Sequence, residues 1–199
     1  MALQFKYNKS EWHELNKQLK MRVSALPTLK SKESALRLEV KKVRRQAEDY
    51  DRQLREMKKS IKDMVRLWVE FNGRFIKIEE VVYDTKTIAG VKIPVLNRFE
   101  FDITNICQFN HPDWFLDGIH ILKELTRLSL LRDINWKSME ILEYARKKTT
   151  QKVNLYEKVQ IPEHQEAMRK IKRYLEDEEN LSKSAQKILK RKKEEAIEL

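Results

Sequence analysis

Taken at every third or fourth place, the residues from Leu26 to Phe71 read Leu26, Leu29, Glu33, Leu36, Val40, Val43, Ala47, Tyr50, Leu54, Met57, Ile61, Met64, Trp68 and Phe71. Thirteen of these fourteen are apolar in a chain that is only 41% hydrophobic. A repeat of 3.5 residues predicts a long helix with a narrow apolar seam that packs along another helix. At about 1.5 Å of rise per residue the seam would run roughly 70 Å, which is longer than a compact domain of this size is wide. The expected form is therefore a rod. Glu33, the one polar intrusion, reads as a register device, a partner contact or a tolerated residue at a frayed layer.

Punctuation sets the bounds of this helix. Asn8 or Ser10 can cap its start, Pro27 predicts a kink near Leu26, and Asn72-Gly73 predicts its end after about Phe71. The pattern then changes. Phe75 to Ile88 and Val91 to Ile103 are rich in Ile, Val, Phe, Tyr and Thr and are separated by Ala89-Gly90, which predicts a β-hairpin. Pro94 cannot donate to a ladder, so its position should lie on an edge or face outward. An isolated two-stranded ribbon is marginal, so it should lean on the helices or on a partner.

His111-Pro112-Asp113 has the form of a new helix start, and helix-forming sequence follows almost to Leu199. Gly118 and the Ser129 to Asn135 stretch are the expected weak points. A second seam reads Ala167, Ile171, Tyr174, Glu178, Leu181, Ala185 and Ile188, preceded less cleanly by Met139, Leu142, Thr149, Val153 and Tyr156. Pro162 between the two stretches should bend the helix. These elements predict a mainly α fold: a long antiparallel two-helix coiled coil formed by the N- and C-terminal helices, with a short β-hairpin and a helical segment in the middle. The expected organisation is 1–72 as the first long helix, 73–111 as the hairpin module, and 112–199 pairing with 1–72 as one elongated domain. Burying a large apolar side chain contributes about 1.5–3 kcal/mol, and two seams supply enough of them to offset the ordering entropy.

Composition agrees with long helices. The 199 residues contain 3 Gly and 4 Pro, and 37% are charged with both signs interleaved, as on the solvated flanks of a coiled coil. The net charge is +11, and its excess lies mainly on the first helix. Such a surface attracts phosphate backbones, anionic membranes or acidic protein walls. Acidic protein is the favoured partner, because the basic residues are mixed with Glu and Asp and no nucleic-acid-binding motif accompanies them. No run of 18 apolar residues would insert in a membrane, and Met1 to Asn16 lacks an apolar signal-peptide core. A single Cys107 fits a reducing cytoplasm and reads as a small apolar residue.

Catalytic chemistry is not apparent. Gly73, Gly90 and Gly118 are scattered and make no phosphate-binding loop. His13, His111, His120 and His164 have no partner at i+4, and one Cys makes no thiolate cluster. The run Glu176-Asp177-Glu178-Glu179 reads as a solvated helix face, and no nucleophile elbow occurs. Neither catalytic nor cofactor-binding nor metal-binding residues are assigned.

Three stretches in order resemble a known family. Tyr7-Asn8-Lys9 followed by Ala25-Leu26-Pro27-Thr28-Leu29-Lys30-Ser31-Lys32-Glu33-Ser34-Ala35-Leu36 is similar to the opening helix of the D subunits of V-type and A-type rotary ATPases. Ile88-Ala89-Gly90-Val91-Lys92-Ile93-Pro94 resembles that family's hairpin pattern Ala-Gly-Val-x-Leu-Pro. Thr149-Thr150-Gln151-Lys152-Val153-Asn154-Leu155-Tyr156-Glu157, then Ile161-Pro162, resembles its carboxyl-terminal signature. Gln151-Lys152 stands where the family usually has an Arg pair, and Leu155-Tyr156 where it has Ala-Leu. The absence of a longer tail resembles the bacterial and archaeal type.

The resemblance implies a non-catalytic axle of the central stalk, present in one copy and peripheral to the membrane on the cytoplasmic side. Its paired termini would sit inside a hexamer of catalytic A and non-catalytic B subunits. Its middle would meet the F subunit and the funnel-like subunit that joins the stalk to the ion-carrying ring. On that reading Lys41, Lys42, Arg44, Arg45, Arg146, Lys147, Lys148 and Lys152 are either a bearing surface against acidic lining or the wet side of the coil. The hairpin residues Val81, Val82, Ala89, Gly90, Val91, Ile93 and Pro94, with Val95, Phe99 and the 110–131 segment, are candidates for the ring-side partners. Trp114 and Phe115 are expected to pack internally. The rival classes are a basic coiled-coil adaptor for anionic membrane or RNA, and a metal or nucleotide enzyme; neither accounts for a hairpin at the midpoint of a coil.

Overall fold

Asn8 opens the first helix: its side-chain Oδ1 accepts a hydrogen bond from the Glu11 N–H at 2.7 Å, satisfying a donor that has no carbonyl partner inside the helix. The computed structural model describes residues 4–71, 76–103, 112 and 114–197. Its elements are α1 (Lys9–Ile61), a 3₁₀ turn (Lys62–Met64), α2 (Val65–Trp68), β1 (Ile76–Ile88), β2 (Val91–Ile103), α3 (Trp114–Leu155), a π turn (Tyr156–Gln160) and α4 (Ile161–Ile197). The fold is mainly α, with long N- and C-terminal helices around one antiparallel hairpin.

All fourteen positions of the first seam are buried or half-buried, Glu33 included. Pro27 lies inside α1, which is unbroken across it; one lost backbone bond is tolerated within a helix of 53 residues whose seam is packed on both sides of the proline. The helix departs from expectation at its other end. The far end does not run as one helix to Phe71 but passes through the 3₁₀ turn and α2. Asn72-Gly73, Phe75, Cys107, His111 and Asp113 lie outside the described residues.

The chain divides into two compact units, Met1–Ser31 with Thr149–Leu199, and Lys32–Lys148. In the first, here the terminal unit, Leu15, Ala167 and Ile171 form a buried cluster, with Phe5, Trp12, Met168 and Leu175 packed against it. The pairing is antiparallel: Gln18 faces His164, Arg22 faces Gln160, and Lys30 faces Glu157. The second seam is buried only as far as this pairing reaches. Tyr174 is 49% exposed, Leu181 72% and Ile188 58%, against the expectation that the whole seam is covered. The register that sets Gln18 beside His164 leaves no helical residue of α1 opposite Leu181, because α1 begins at Lys9.

In the second, central unit, Leu36, Val40 and Val43 of α1 meet Met139 and Leu142 of α3, and Ile93 of β2 completes the cluster. Asp51 and Arg132 approach at 3.9 Å, and the pairing ends in rings: Trp68 and Trp114 lie 5.7 Å apart, and Phe71 and Phe115 5.3 Å. Phe115 is only 4% exposed, so this aromatic pair packs internally as expected. The helix does not break at Gly118 or between Ser129 and Asn135; α3 is continuous through both. Gly118 serves packing instead, since a Cβ there would stand 3.1 Å from the Trp114 ring and 3.5 Å from that of Trp68.

The hairpin pairs Ile88 with Val91 and Ile76 with Ile103, with irregularities between Ile78 and Glu80 and between Val82 and Tyr83. Its turn has φ of 48° at Ala89 and 75° at Gly90. Two left-handed residues make the hairpin-compatible primed turn, whose twist matches that of the strands. Ala89 adopts this conformation at some cost, because it carries a Cβ that Gly90 lacks.

Candidate partner-binding surfaces

The basic residues of α1 split by helical position. Val40 and Val43 face the core, which leaves Lys41, Lys42, Arg44 and Arg45 exposed around them. The same logic on α3 exposes Lys147 and Lys148 beside buried Leu142 and Thr149, while Arg146 is half-buried. Lys148 Nζ sits 4.5 Å from the centroid of the Tyr144 ring, so its cation is partly held by a π face. In the terminal unit, Lys152 is exposed next to buried Val153.

Arg146 differs from these neighbours because it is committed within the chain. Its Nη2 donates to Glu143 Oε1 at 2.6 Å and its Nε to Oε2 at 2.9 Å, a two-pronged contact that fixes the guanidinium plane. That hydrogen bonding is the main reason the Glu143 carboxyl is held below its ordinary value, opposed by desolvation and assisted by the charges of Arg146, Lys147 and Arg44. Arg146 is raised in turn, chiefly by the bond to Glu143, with Glu33 contributing its negative charge. The negative charge of the polar intrusion in the first seam is thus felt by a cation of α3.

The hairpin candidates also separate. Ile93 is 5% exposed and is committed to the core with Leu36, Val40 and Leu142, while Ile88 and Val91 pack against that cluster. Pro94 pairs with Thr85, and its carbonyl accepts from Ser138 Oγ at 2.9 Å, so the residue that cannot donate to the ladder still ties β2 to α3. The hairpin therefore leans on the helices through its turn end. Val81 and Val82 are half-buried at the middle of β1, and Ala89 and Gly90 are exposed at the tip, with Lys32 Nζ 3.5 Å from where a Cβ on Gly90 would stand.

A polar clasp in the terminal unit is absent from the sequence-based candidates. His164 is 1% exposed; its Nδ1 donates to the Gln160 carbonyl at 2.7 Å, and its Nε2 lies 3.3 Å from Gln18 Oε1. Arg22 Nε donates to Gln160 Oε1 at 2.8 Å, and its Nη1 to the Gln18 carbonyl at 3.1 Å. Gln160 closes the π turn, in which the Ile161 N–H bonds to the Tyr156 carbonyl, and Pro162 follows without an N–H of its own. The proline therefore accompanies a widened turn. The isolation of His164 from other histidines along the chain conceals this role; its i−4 relation to Gln160 is the available signal.

Among the described residues, no group of three His, Cys, Asp or Glu side chains could hold a metal ion, and no helix is long and apolar enough to cross a membrane. The surfaces present exposed cations on the helices and a ribbon packed on them through its turn end, with Lys123 Nζ of α3 6.0 Å from the Phe101 ring near the other end.

Residues 11–191 match the family model described as the D subunit of ATP synthase. The chain is 31% identical over 189 residues to the V-type ATP synthase D subunit of Borreliella burgdorferi, covering 93% of each chain. It is 26% identical to that of Chlamydia caviae over 98% of this chain and 99% of the relative, and 25% identical to that of Chlamydia pneumoniae over 96% and 94%.

Proposed function

From the premise that this chain belongs to the family of ATP synthase D subunits, we propose that it is the non-catalytic rotor of the central stalk in a V/A-type rotary ATPase. It couples hydrolysis or synthesis of ATP in a hexamer of A and B subunits to rotation of a membrane ring and so to ion transport. One copy serves each complex. It sits on the cytoplasmic side, peripheral to the membrane, and no metal or cofactor enters its own part in the mechanism.

The observation that carries this reading is the antiparallel pairing within each unit, with apolar seams inside and exposed cations outside. A pair of helices has no threefold axis. Inside a ring of three equivalent catalytic interfaces, each interface meets a different face of the pair, and the contact free energy differs among them. That difference biases each interface toward its own open or closed state, and by linkage the states of the interfaces turn the pair. Lys41, Lys42, Arg44, Arg45, Lys147 and Lys152, with Lys148 resting over the Tyr144 ring, supply charge that can be shared among passing carboxylates, since these cations stand on flexible stems. Arg146 is better read as a brace of the pair than as a bearing residue. The F subunit and the ring-connecting funnel are assigned to the central unit, through the exposed hairpin tip and the Val81-Val82 stretch at the middle of β1.

The test is single-molecule rotation. A probe fixed to this chain in a complex reassembled with the A, B and F subunits should turn in three steps per revolution on ATP addition. A complex that assembles and hydrolyses ATP while the probe stays still would overturn the proposal.

A further inference from the structure

Trp12 and Leu19 of α1 lie one above the other, seven residues apart, and Met168 of α4 lies beside them. With Gln165, Arg169 and Lys172 they line an open groove of about 340 Å³ in the terminal unit. The three apolar side chains are half-buried, beside the cluster of Leu15, Ala167 and Ile171, while the rest of their surface faces the groove. The rim is cationic where α4 forms it: Arg169 and Lys172 are exposed there and line the groove. Arg169 bonds to the Gln165 carbonyl at 3.4 Å, and Lys172 meets Glu176 at 3.7 Å. Glu166 on the same helix is occupied by Lys170 at 2.9 Å.

We propose that this groove receives an apolar side chain flanked by carboxylates from the lining of the encircling A/B hexamer. The proposal rests on the rotor reading and gives it a particular docking point. The argument is charge complementarity about an apolar floor: the floor gains by removal from water, while Arg169 and Lys172 at its rim disfavour a basic partner and select an acidic one. A docking point on one flank of the pair is met in turn by each of the three interfaces. It would therefore act as a detent, setting a preferred angle at each third of a revolution, which uniformly spread charge would not do.

The experiment measures binding of the full chain to purified A/B hexamer, then rotation. Met168→Glu places a carboxylate on the groove floor; Arg169→Glu with Lys172→Glu reverses the rim at two exposed sites and leaves the core intact. Each should weaken binding at least ten-fold and shorten the pauses in rotation, and rim reversal should flatten the salt dependence. Lys59→Glu, an exposed charge change in the central unit, is the control and should bind like wild type. If wild-type chain fails to bind hexamer, the rotor reading itself falls. If wild type binds and the rim-reversed protein, folded by circular dichroism, binds equally well, the groove assignment alone falls. Sedimentation showing wild-type self-association that Met168→Glu abolishes would give the groove to a second copy of this chain and also overturn it.

Discussion

The two units solve the same packing problem with different chemistry. In the central unit, aliphatic side chains of α1 and α3 meet a third layer, the turn end of the hairpin, and aromatic rings close the far end. In the terminal unit only helices are available, the apolar cluster is small, and the polar clasp of Gln18, Arg22, Gln160 and His164 continues the pairing beyond it. Apolar layers resist by area and tolerate small shifts, whereas hydrogen bonds among buried groups are satisfied in one register only. The central unit is thus built for strength and the terminal unit for a defined alignment.

The largest expected effect would come from the apolar side. Leu142 is fully buried, and Leu142→Ala should cost about 2–5 kcal/mol in denaturant unfolding. A cost under about 1 kcal/mol would show that the three-layer core can collapse around the gap and would erase the contrast. On the polar side, His164→Leu keeps much of the volume but removes the imidazole bond to the Gln160 carbonyl and leaves Gln18 Oε1 with only the long contact to Arg22 Nη1 at 3.4 Å. It should cost about 1–3 kcal/mol and speed hydrogen exchange at residues 156–164; unchanged exchange there would deny the clasp its role in alignment.

Smaller effects sharpen the picture. Glu143→Gln removes one arm of the brace to Arg146 and should cost about 0.5–1 kcal/mol at neutral pH. The sign with pH is fixed by the lowered carboxyl. Its contribution is fully present above the ordinary value of 4.5 and is lost as pH falls through the lower folded value, so the wild type should lose its advantage over the variant in acid. A difference that persisted in strong acid would point to packing instead of charge. Smallest is Ala89→Asn, which places a residue tolerant of positive φ at the turn and should stabilise by about 0.5–1 kcal/mol, read as a rise in melting temperature.

Much of this architecture was legible in the order of residues. The first seam was readable because its apolar positions recur with Glu33 as the single exception, and each of them is at least half-covered. Ala89-Gly90 between two β-branched runs placed the hairpin turn at the residues that form it. What failed were arguments from single residues. Gly118 and the Ser129 to Asn135 stretch looked like breaks, but helix interiors tolerate weak formers when tertiary packing holds both sides, and the glycine answers to two indole rings. The second seam looked complete through Ile188, yet periodicity reports a face and not its partner. Among the candidate contacts, exposure separates Lys41, Lys42, Arg44, Arg45, Lys147, Lys148 and Lys152 from Ile93 and Arg146, which serve the chain's own structure. The clasp was invisible because Gln and Arg at helical spacing look like any solvated surface.

The widened turn at Tyr156–Gln160 also bears on how this polypeptide can change in length. Along the helix the inward positions Val153, Tyr156, Gln160, His164, Ala167 and Ile171 step by 3, 4, 4, 3 and 4, one residue more than strict alternation allows, and the turn takes up the surplus. Excising a single amino acid there would let the backbone close as ordinary α-helix with Ala167 and Ile171 still aimed at Leu15. The same excision a few turns further on would swing every following side chain by about 100°. Insertions and deletions in this chain's descendants should accordingly be absorbed at that turn.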